Sequence, residues 1–149
     1  MTDPTSALDD IAFVDALLDL LIPPSSDMPG AGSLGLSHGV AASVRADPML
    51  SAMIEAGASA LREAALAVHR DGLPALALDV ARGLLSVQAS ANPFLAIGLM
   101  RHLCPLYYQD PRVLKRIGAE ARPPFPGGFV VEATDPALMQ TLLARRKTP

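Results

Sequence analysis

The sequence predicts an all-α fold, a single compact bundle of six or seven helices. Of its 149 residues half are apolar, yet it has no Trp, two Tyr and four Phe. The core must therefore be built mainly from Leu, Ala, Val, Ile and Met, a composition that favours helices over strands. Four Asx-Pro pairs begin at positions 47, 92, 110 and 135, and each supplies a side-chain acceptor at the N-cap and Pro at N1. Between these starts apolar residues recur every three or four positions.

The first helix is predicted over 6–21, where apolar residues share one face and Asp15 and Asp19 lie opposite. Pro23-Pro24 ends it, because proline cannot continue a helix. Residues 25–32 are rich in Ser, Gly and Pro and predict a loop, and a short helix is expected over 36–46.

Three longer helices are predicted in the middle of the chain. The helix over 48–70 is amphipathic, whereas that over 74–90 has only Asp79, Arg82 and Ser86 as a narrow polar strip and is expected to be buried on most sides. The helix over 93–108 is apolar all round until Arg101 and His102, which predicts the central element of the bundle. Pro105 removes one of its hydrogen bonds, so the helix is expected to bend or end there.

The C-terminal part combines two helices with an extended arm. A short helix is predicted over 111–118. The arm over 121–134 contains the run Arg-Pro-Pro-Phe-Pro-Gly-Gly, which fits neither a helix nor a central strand. The last helix, over 136–146, should turn its apolar side chains inward, namely Leu138, Met139, Leu142 and Leu143. Residues 1–149 are thus interpreted as one helical domain.

A Gly-x-Gly-x-x-Gly spacing occupies 30–35, and Glu55 stands about where a ribose-binding acid would follow in a dinucleotide-binding fold. Dinucleotide binding by such a loop needs a buried strand before the loop and another strand after the helix. Here the loop follows Pro-Pro-Ser-Ser-Asp and precedes two predicted helices. A glycine-rich interhelical loop is the favoured interpretation.

The histidines at 38, 69 and 102 share no metal-ligand spacing, and Cys104 is the only cysteine. His102 and Cys104 stand two positions apart on a predicted helix, so they point to different faces and do not form a nucleophile pair. A core cysteine and a surface or capping histidine are favoured. No metal, cofactor or catalytic residue is expected on this chain.

Charge is divided unevenly along the chain. Residues 1–100 hold four bases and eleven acids, a net charge of −7, and residues 101–149 hold eight bases and four acids, a net charge of +4. A basic C-terminal face either meets an acidic partner or is simply a solvated surface. The acidic start, without an n-region or a long apolar stretch, predicts a cytoplasmic protein with no membrane insertion. The overall negative charge argues against nucleic-acid binding.

A partner-binding surface is predicted where the chain reverses around Asp110. Two phenols stand beside three bases there, and aromatic and Arg residues are enriched in interface hot spots. The alternative is that both phenols pack beneath the proline-rich arm with their hydroxyl groups satisfied. The predicted interface comprises Tyr107, Tyr108, Arg112, Lys115, Arg116, Phe125 and Phe129.

Several segments together resemble the gluconate 2-dehydrogenase subunit 3 family. They are Leu-Leu-Ile-Pro-Pro at 20–24 with Pro-Gly-Ala at 29–31 and Gly35, and Tyr-Tyr-Gln-Asp-Pro-Arg-Val at 107–113 through Ile117-Gly118. The run over 122–129 and the last helix are similar to a branch of this family that lacks a signal peptide. The resemblance covers nearly the whole chain. The family's usual Gly-Tyr is replaced here by Gly118-Ala119.

The resemblance implies a small, non-catalytic helical partner of a glucose-methanol-choline-type flavoprotein dehydrogenase. In such a complex the large subunit holds FAD and oxidises an alcohol or sugar hydroxyl. Family members often carry a twin-arginine signal, but no paired arginines stand near the start of this sequence. One alternative is a stand-alone helical protein that binds an apolar small molecule between its helices. An independent enzyme is the weakest hypothesis, because no nucleophile, base and orienting group come together by spacing.

Overall fold

The computed structural model describes residues 6–119 and 135–146, and this part of the chain is all-α, as predicted. It contains seven α-helices and no strand. In chain order they are α1 (Ile11–Leu21), α2 (Ser37–Arg45), α3 (Ser51–Val68), α4 (Leu78–Ala91), α5 (Pro93–Gln109), α6 (Pro111–Arg116) and α7 (Pro136–Arg146). Single 3₁₀ turns lie at Ala7–Asp9, Gly32–Leu34 and Leu73–Ala75. The predicted arm over 121–134 lies outside the described residues.

Three of the four Asx-Pro pairs predicted to start helices cap them. The side chain of Asn92 accepts a hydrogen bond from the Phe94 amide at 3.1 Å, and Asp110 accepts one from the Arg112 amide at 2.9 Å. Asp135 caps α7 in the same way. The Asp47 carboxylate instead closes a turn of three residues by binding the amides of Met49 and Leu50, so α3 begins only at Ser51.

An unpredicted cap divides the first helix in two. Asp10 has an extended backbone, with ψ at 92°, and its side chain accepts a hydrogen bond from the Phe13 amide at 3.1 Å. The predicted helix over 6–21 is therefore a 3₁₀ turn followed by α1. The two consecutive aspartates at 9 and 10 were the signal for this break, since Asp favours N-caps over helix interiors.

Helix α5 is the central element, as predicted, and it packs against α1, α2, α3, α4 and α6. Leu95, Leu99 and Leu103 are fully buried along it. At Gly98 an added Cβ would lie 3.0 Å from the Ile54 side chain, so the absence of a side chain allows α3 to approach closely. Pro105 does not end α5, which continues to Gln109.

The prediction that α4 is buried on most sides was wrong. Of its residues only Ala81 is buried, while Leu78, Val80 and Val87 are between 39% and 65% exposed. Helix α4 lies at the edge of the bundle and packs on α3 and α5. An apolar composition makes burial favourable but does not supply neighbours on every side, and the neighbours of a helix are set by tertiary topology.

The predicted inward packing of α7 was also wrong. The side chains of Leu138, Met139 and Leu143 are about half exposed, and the described α7 residues contribute nothing to the buried core. The core instead combines α1 to α6 with the loop between α1 and α2. Helix α7 lies where its Asp135 cap and its composition predicted it, but the described residues do not bury Leu138, Met139 or Leu143.

Within the described ranges, no single helix has the length and apolar character needed to cross a membrane. Helices α4 and α5 meet that requirement only when they are taken together, and the chain bends by 106° between them.

Two helix-interior glycines provide a matched test of the packing of α3 against α5. At Gly57 an added Cβ would lie 2.8 Å from the side-chain nitrogen Nδ2 of Asn92 and 2.9 Å from the Leu95 Cβ. At Gly83 on α4 an added Cβ would meet nothing within 4 Å. We expect Gly57→Ala to lower the free energy of unfolding by about 1–3 kcal/mol through overpacking. Gly83→Ala should raise it by about 0.5–1 kcal/mol, the helix-propensity gain. Urea denaturation measures both, and equal effects of the two substitutions would contradict this packing.

Candidate functional site

A cleft of about 810 Å³ lies between the loop that follows α1 and the short helix α6. One wall is the loop 24–30 together with Ser33, and the other wall carries three basic side chains of α6. The residues that line it are Pro24, Ser25, Ser26, Asp27, Met28, Pro29, Gly30, Ser33, Arg112, Lys115 and Arg116. Two segments about 80 residues apart in sequence therefore form one site.

The loop wall is held by its own hydrogen bonds. The Ala31 amide donates to the Ile22 carbonyl at 3.0 Å and closes the loop at its base. Within it the Ser25 amide donates to the Met28 carbonyl at 2.9 Å, and the Met28 amide donates to the Ser25 hydroxyl at 3.1 Å. These bonds satisfy backbone groups that a loop would otherwise leave to water.

The glycines of the loop allow it to pack directly on α1. At Gly32 an added Cβ would lie 2.2 Å from the Asp15 carbonyl oxygen, and at Gly30 it would lie 2.3 Å from the Asp19 carboxylate. The Gly32 amide donates to the Asp19 carboxylate at 2.8 Å, and the Ser37 hydroxyl donates to the Asp15 carboxylate. The two aspartates, expected to be the polar face of the first helix, are the groups that hold the loop.

This packing explains the Gly-x-Gly-x-x-Gly spacing without a nucleotide. The loop joins α1 to α2 through a 3₁₀ turn, and the Gly32 amide already binds a carboxylate of the protein itself. The interpretation as an interhelical loop is confirmed. Glu55, the other half of the dinucleotide pattern, lies on α3 and accepts a hydrogen bond from the Ser6 hydroxyl.

The other wall is fixed by Asp110 and Arg112. Arg112 binds both carboxylate oxygens of Asp110, Nε at 2.9 Å and Nη2 at 2.8 Å, and Nη2 also donates to the Leu34 carbonyl at 2.7 Å. The Arg112 side chain and, less strongly, the backbone amide of the same residue hold the pKa of the Asp110 carboxyl below its ordinary value. The guanidinium thus links the start of α6 to the loop after α1.

Helix α6 ends at Arg116, two residues before the predicted end, and a glycine with a left-handed backbone follows. Gly118 has φ of 74°, and the Ala119 amide donates to the Leu114 carbonyl at 2.9 Å. This pairing is typical of a helix C-terminus that closes on glycine. It brings the chain out of the helix beside Lys115 and Arg116.

Tyr107 corrects the predicted interface. Its side chain is 1% exposed, and its hydroxyl donates to the Pro29 carbonyl at 2.8 Å. Burial raises the pKa of the Tyr107 phenol above its ordinary value of 10.0. The hydroxyl is protonated at neutral pH and acts as a hydrogen-bond donor. Tyr107 therefore supports the loop wall from behind and is not itself a surface residue.

Tyr108 is the exposed member of the phenol pair. Its side chain is 53% exposed, and its ring meets the Tyr107 ring edge to face with the centroids 5.2 Å apart. Neither of the two hypotheses for the pair was fully right, because one phenol is buried and the other lies on the surface. On a helix, adjacent positions point in directions about 100° apart, so the two phenols meet different surroundings.

Lys115 and Arg116 are the cations of the cleft that no described acid neutralises. Both are exposed, and neither forms an ion pair within the described residues. Asp27 is the acidic residue of the opposite wall, where its carboxylate accepts a hydrogen bond from the Ser26 hydroxyl at 3.2 Å. The cleft therefore has an excess of positive charge, although the whole chain is acidic.

His102 lies in the core, away from this cleft, which contradicts the expectation of a surface or capping histidine. It is 8% exposed, and its Nδ1 lies 2.9 Å from the Ser43 hydroxyl. Its Nε2 lies 3.6 Å from an Asp47 carboxylate oxygen and has no hydrogen-bond partner among the described residues. The histidine thus joins α2, α5 and the turn before α3, and Cys104 beside it is half-buried.

Within 6–119 and 135–146, no three His, Cys, Asp or Glu side chains come close enough to hold a metal ion. His38 lies on α2 and His69 follows the end of α3, and both are exposed, whereas His102 is buried on α5. The described residues therefore offer cations and hydroxyl groups at the cleft rather than metal ligands.

The structure brings together Arg112, Lys115 and Arg116 of the predicted interface, and Tyr108 lies on the surface just before α6. Phe125 and Phe129 lie outside the described residues. Sequence reasoning missed the loop wall around Ser25 and Asp27. A signal for this wall is present in the sequence: Pro-Gly-Ala at 29–31 and the Tyr-Tyr segment belong to the same family resemblance. The hydrogen bond from the Tyr107 hydroxyl to the Pro29 carbonyl joins these two segments.

Comparison of the chain with protein-family models, with curated proteins and with solved structures finds no match.

The two adjacent tyrosines give a matched test of the support behind the loop. Tyr107→Phe leaves the Pro29 carbonyl without its donor, and we expect the free energy of unfolding to fall by about 0.5–1.5 kcal/mol. Tyr108→Phe removes an exposed hydroxyl and should change it by less than about 0.5 kcal/mol. Urea denaturation gives the stabilities, and amide exchange of residues 25–31 should speed up only in Tyr107→Phe. Equal losses in the two variants would show that the hydroxyl of Tyr107 does not hold the loop.

The Asp110 carboxylate provides a pH test. A pKa lowered in the folded state gives stability that is present above the unfolded value, near 3.8, and that is lost as the pH falls through the folded value. Asp110→Asn keeps an oxygen that can cap α6 but loses the charge that binds Arg112. We expect it to be less stable than the wild type at pH 7 by up to about 1 kcal/mol, since Arg112 is exposed.

Urea denaturation between pH 7 and pH 3 checks this expectation. The stability difference between the wild type and Asp110→Asn should shrink once the pH falls below the ordinary value of 3.8. Asp27→Asn is the control, because among the described residues that carboxylate binds the Ser26 hydroxyl alone. A difference for Asp110→Asn that stays constant over the whole range would contradict the ion pair.

Proposed function

We propose that this chain is a non-catalytic small subunit that binds and stabilises or matures a flavin-dependent dehydrogenase of the glucose-methanol-choline type. The large subunit would hold FAD and oxidise an alcohol or sugar hydroxyl. The observation that supports the proposal is the cleft, whose walls are the two segments that carry the resemblance to gluconate 2-dehydrogenase subunit 3. We place the complex in the cytoplasm, which stays a prediction.

The character of the cleft suits binding better than catalysis. Its titratable groups are three cations and Asp27, and one of the cations, Arg112, is occupied by Asp110 and by the Leu34 carbonyl. A nucleophilic mechanism needs a nucleophile beside a base that a third group orients. The serine hydroxyls of the loop instead bond to Asp27, to the Met28 amide and to the Gly30 carbonyl, which shape the loop.

The surface around α6 also has the composition of an interface. Tyr108 presents half of its side chain to solvent, and Arg112, Lys115 and Arg116 follow within the next eight residues. Tyr and Arg are the residues most enriched among interface hot spots. Because both walls are already fixed by hydrogen bonds, docking there orders little new backbone, and a preorganised surface loses less entropy on binding.

A second candidate function is supported by another cavity. A pocket of about 390 Å³ lies between α1 and α4, and its lining is mainly apolar, with Leu20, Leu73, Leu76, Leu78 and Ala81 among its residues. That volume is within the range of small-molecule sites, roughly 300–1,000 Å³. In this hypothesis the chain acts alone and holds an apolar molecule between its helices.

Coexpression separates the two hypotheses. The tagged chain is expressed from its own genomic region, so that any flavoprotein dehydrogenase encoded beside it is produced as well, and the captured material is analysed for the large subunit and for flavin absorbance. The interaction subunit should retain the dehydrogenase with its flavin, and the chain purified alone should be colourless. Capture of no dehydrogenase, together with an apolar molecule extracted from the purified chain, would favour the second function.

Tyr108 tests which face makes the contact. Tyr108→Ala should weaken the complex by about 1–3 kcal/mol, because a half-exposed aromatic beside arginines is typical of a hot spot. Phe94→Ala is the matched control: Phe94 is 44% exposed on the same helix, but it lies at the opposite end of α5, about 20 Å away along the axis. Titration of the dehydrogenase with each variant gives the affinities, and thermal melting shows that each variant is folded. A complex weakened by Phe94→Ala and not by Tyr108→Ala would place the interface on α4 and the start of α5.

A further inference from the structure

The positive charge of the cleft is concentrated on one of its two walls. Lys115 and Arg116 stand on the α6 wall without an ion-pair partner among the described residues, and the Arg112 guanidinium beside them is neutralised by Asp110. The facing wall carries serine hydroxyls and one acid, Asp27. The lining therefore has two more positive than negative side chains, in a chain whose first hundred residues have a net charge of −7.

The size of the cleft indicates what kind of anion fits. About 810 Å³ is near the upper end of ligand-site volumes and is far larger than one carboxylate or one phosphate needs. A segment of several residues fills such a volume, and an extended segment suits a cleft that is open along its length between a loop and a helix. Its carboxylates would meet the cations of α6 while its backbone lies along the loop.

Both walls are held in place before any partner arrives. The Tyr107 hydroxyl holds the Pro29 carbonyl of the loop wall, and the Arg112 guanidinium joins the helix wall to the Leu34 carbonyl. The first bond joins the loop wall to α5, and the second joins the 3₁₀ turn after that loop to α6. The backbone that carries Lys115 and Arg116 is therefore in place before a partner binds. Such a surface favours partners whose acidic groups match the positions of these cations.

We propose that this cleft binds an extended acidic segment of the partner protein, whose Asp or Glu carboxylates accept hydrogen bonds from Lys115 and Arg116. This inference rests on the proposed function for the existence of the partner, and it adds the chemistry of the contact. Tyr108 is exposed two residues before Asp110, the N-cap of α6, and the acidic segment occupies the space between α6 and the loop 24–30.

Lys115 makes a sharp experiment possible, because it is one of only two lysines in the chain, the other being Lys147. A zero-length carbodiimide reagent joins an amine to a carboxylate only when the two are in contact. Treatment of the complex with the dehydrogenase should give a cross-link from Lys115 to an Asp or Glu of the large subunit, identified by mass spectrometry. Lys115→Arg keeps the charge and removes the amine, so it should keep the complex and abolish that cross-link. Lys147→Arg should leave it unchanged.

Charge reversal adds a measurement of affinity. Lys115→Glu/Arg116→Glu should weaken the complex roughly tenfold or more, since like charges would then face each other. Arg70→Glu/Arg101→Glu makes the same change of net charge at two exposed positions, one in the turn after α3 and one on α5, and should leave the affinity within about twofold. Equal weakening by the two double variants, or a cross-link that survives in Lys115→Arg, would overturn the proposal while a captured dehydrogenase would still support the proposed function.

The isolated chain tests the cleft even if no dehydrogenase is captured. A fluorescent peptide rich in glutamate should bind to the wild type and bind at least about tenfold more weakly to Lys115→Glu/Arg116→Glu, and a glutamine peptide of equal length should not bind. Inorganic phosphate at millimolar concentration should not displace the glutamate peptide. Equal binding of the two peptides would overturn the proposal, and full displacement by phosphate would assign the cleft to small anions instead of a protein segment.

Discussion

The hydrogen bond between the Tyr107 hydroxyl and the Pro29 carbonyl is the contact on which the arrangement of the cleft depends. It joins the end of the central helix to a loop 78 residues earlier in the sequence. Arg112 makes a second link of the same kind, from the start of α6 to the Leu34 carbonyl. These two contacts connect a loop that already packs on α1 to the helices that carry the cations.

The fold supplies the frame for these contacts through α5. Because this helix packs on five of the other helices, its C-terminal end has a fixed position relative to α1 and to the loop that follows it. Glycines contribute at the close approaches, Gly98 between α5 and α3 and Gly32 between the loop and α1. Exposed apolar side chains remain on α4 and α7, and the other described residues do not cover them.

Helix starts and the central helix were predictable from the sequence because capping and periodicity are local properties. Asn92, Asp110 and Asp135 cap helices as the Asx-Pro pairs indicated, and α5 is central as its composition indicated. Burial of α4 and α7 was not predictable, since it depends on which elements lie nearby. The same limit explains the site: the bases of α6 are visible in the sequence, but the burial of Tyr107 and the wall around Asp27 arise only from long-range packing.

The loop 24–34 and helix α6 form one face, and we propose that a larger protein covers it. Amide hydrogen exchange of the chain, free and in complex with a flavoprotein dehydrogenase captured by coexpression, tests this most directly. Binding should slow exchange in residues 25–34 and 112–119 together, because hydrogen bonds link the two walls, and should leave α4 unchanged, because no residue of α4 lines the cleft. Slower exchange confined to α4 and the first turn of α5, with the loop and α6 unchanged, would contradict it.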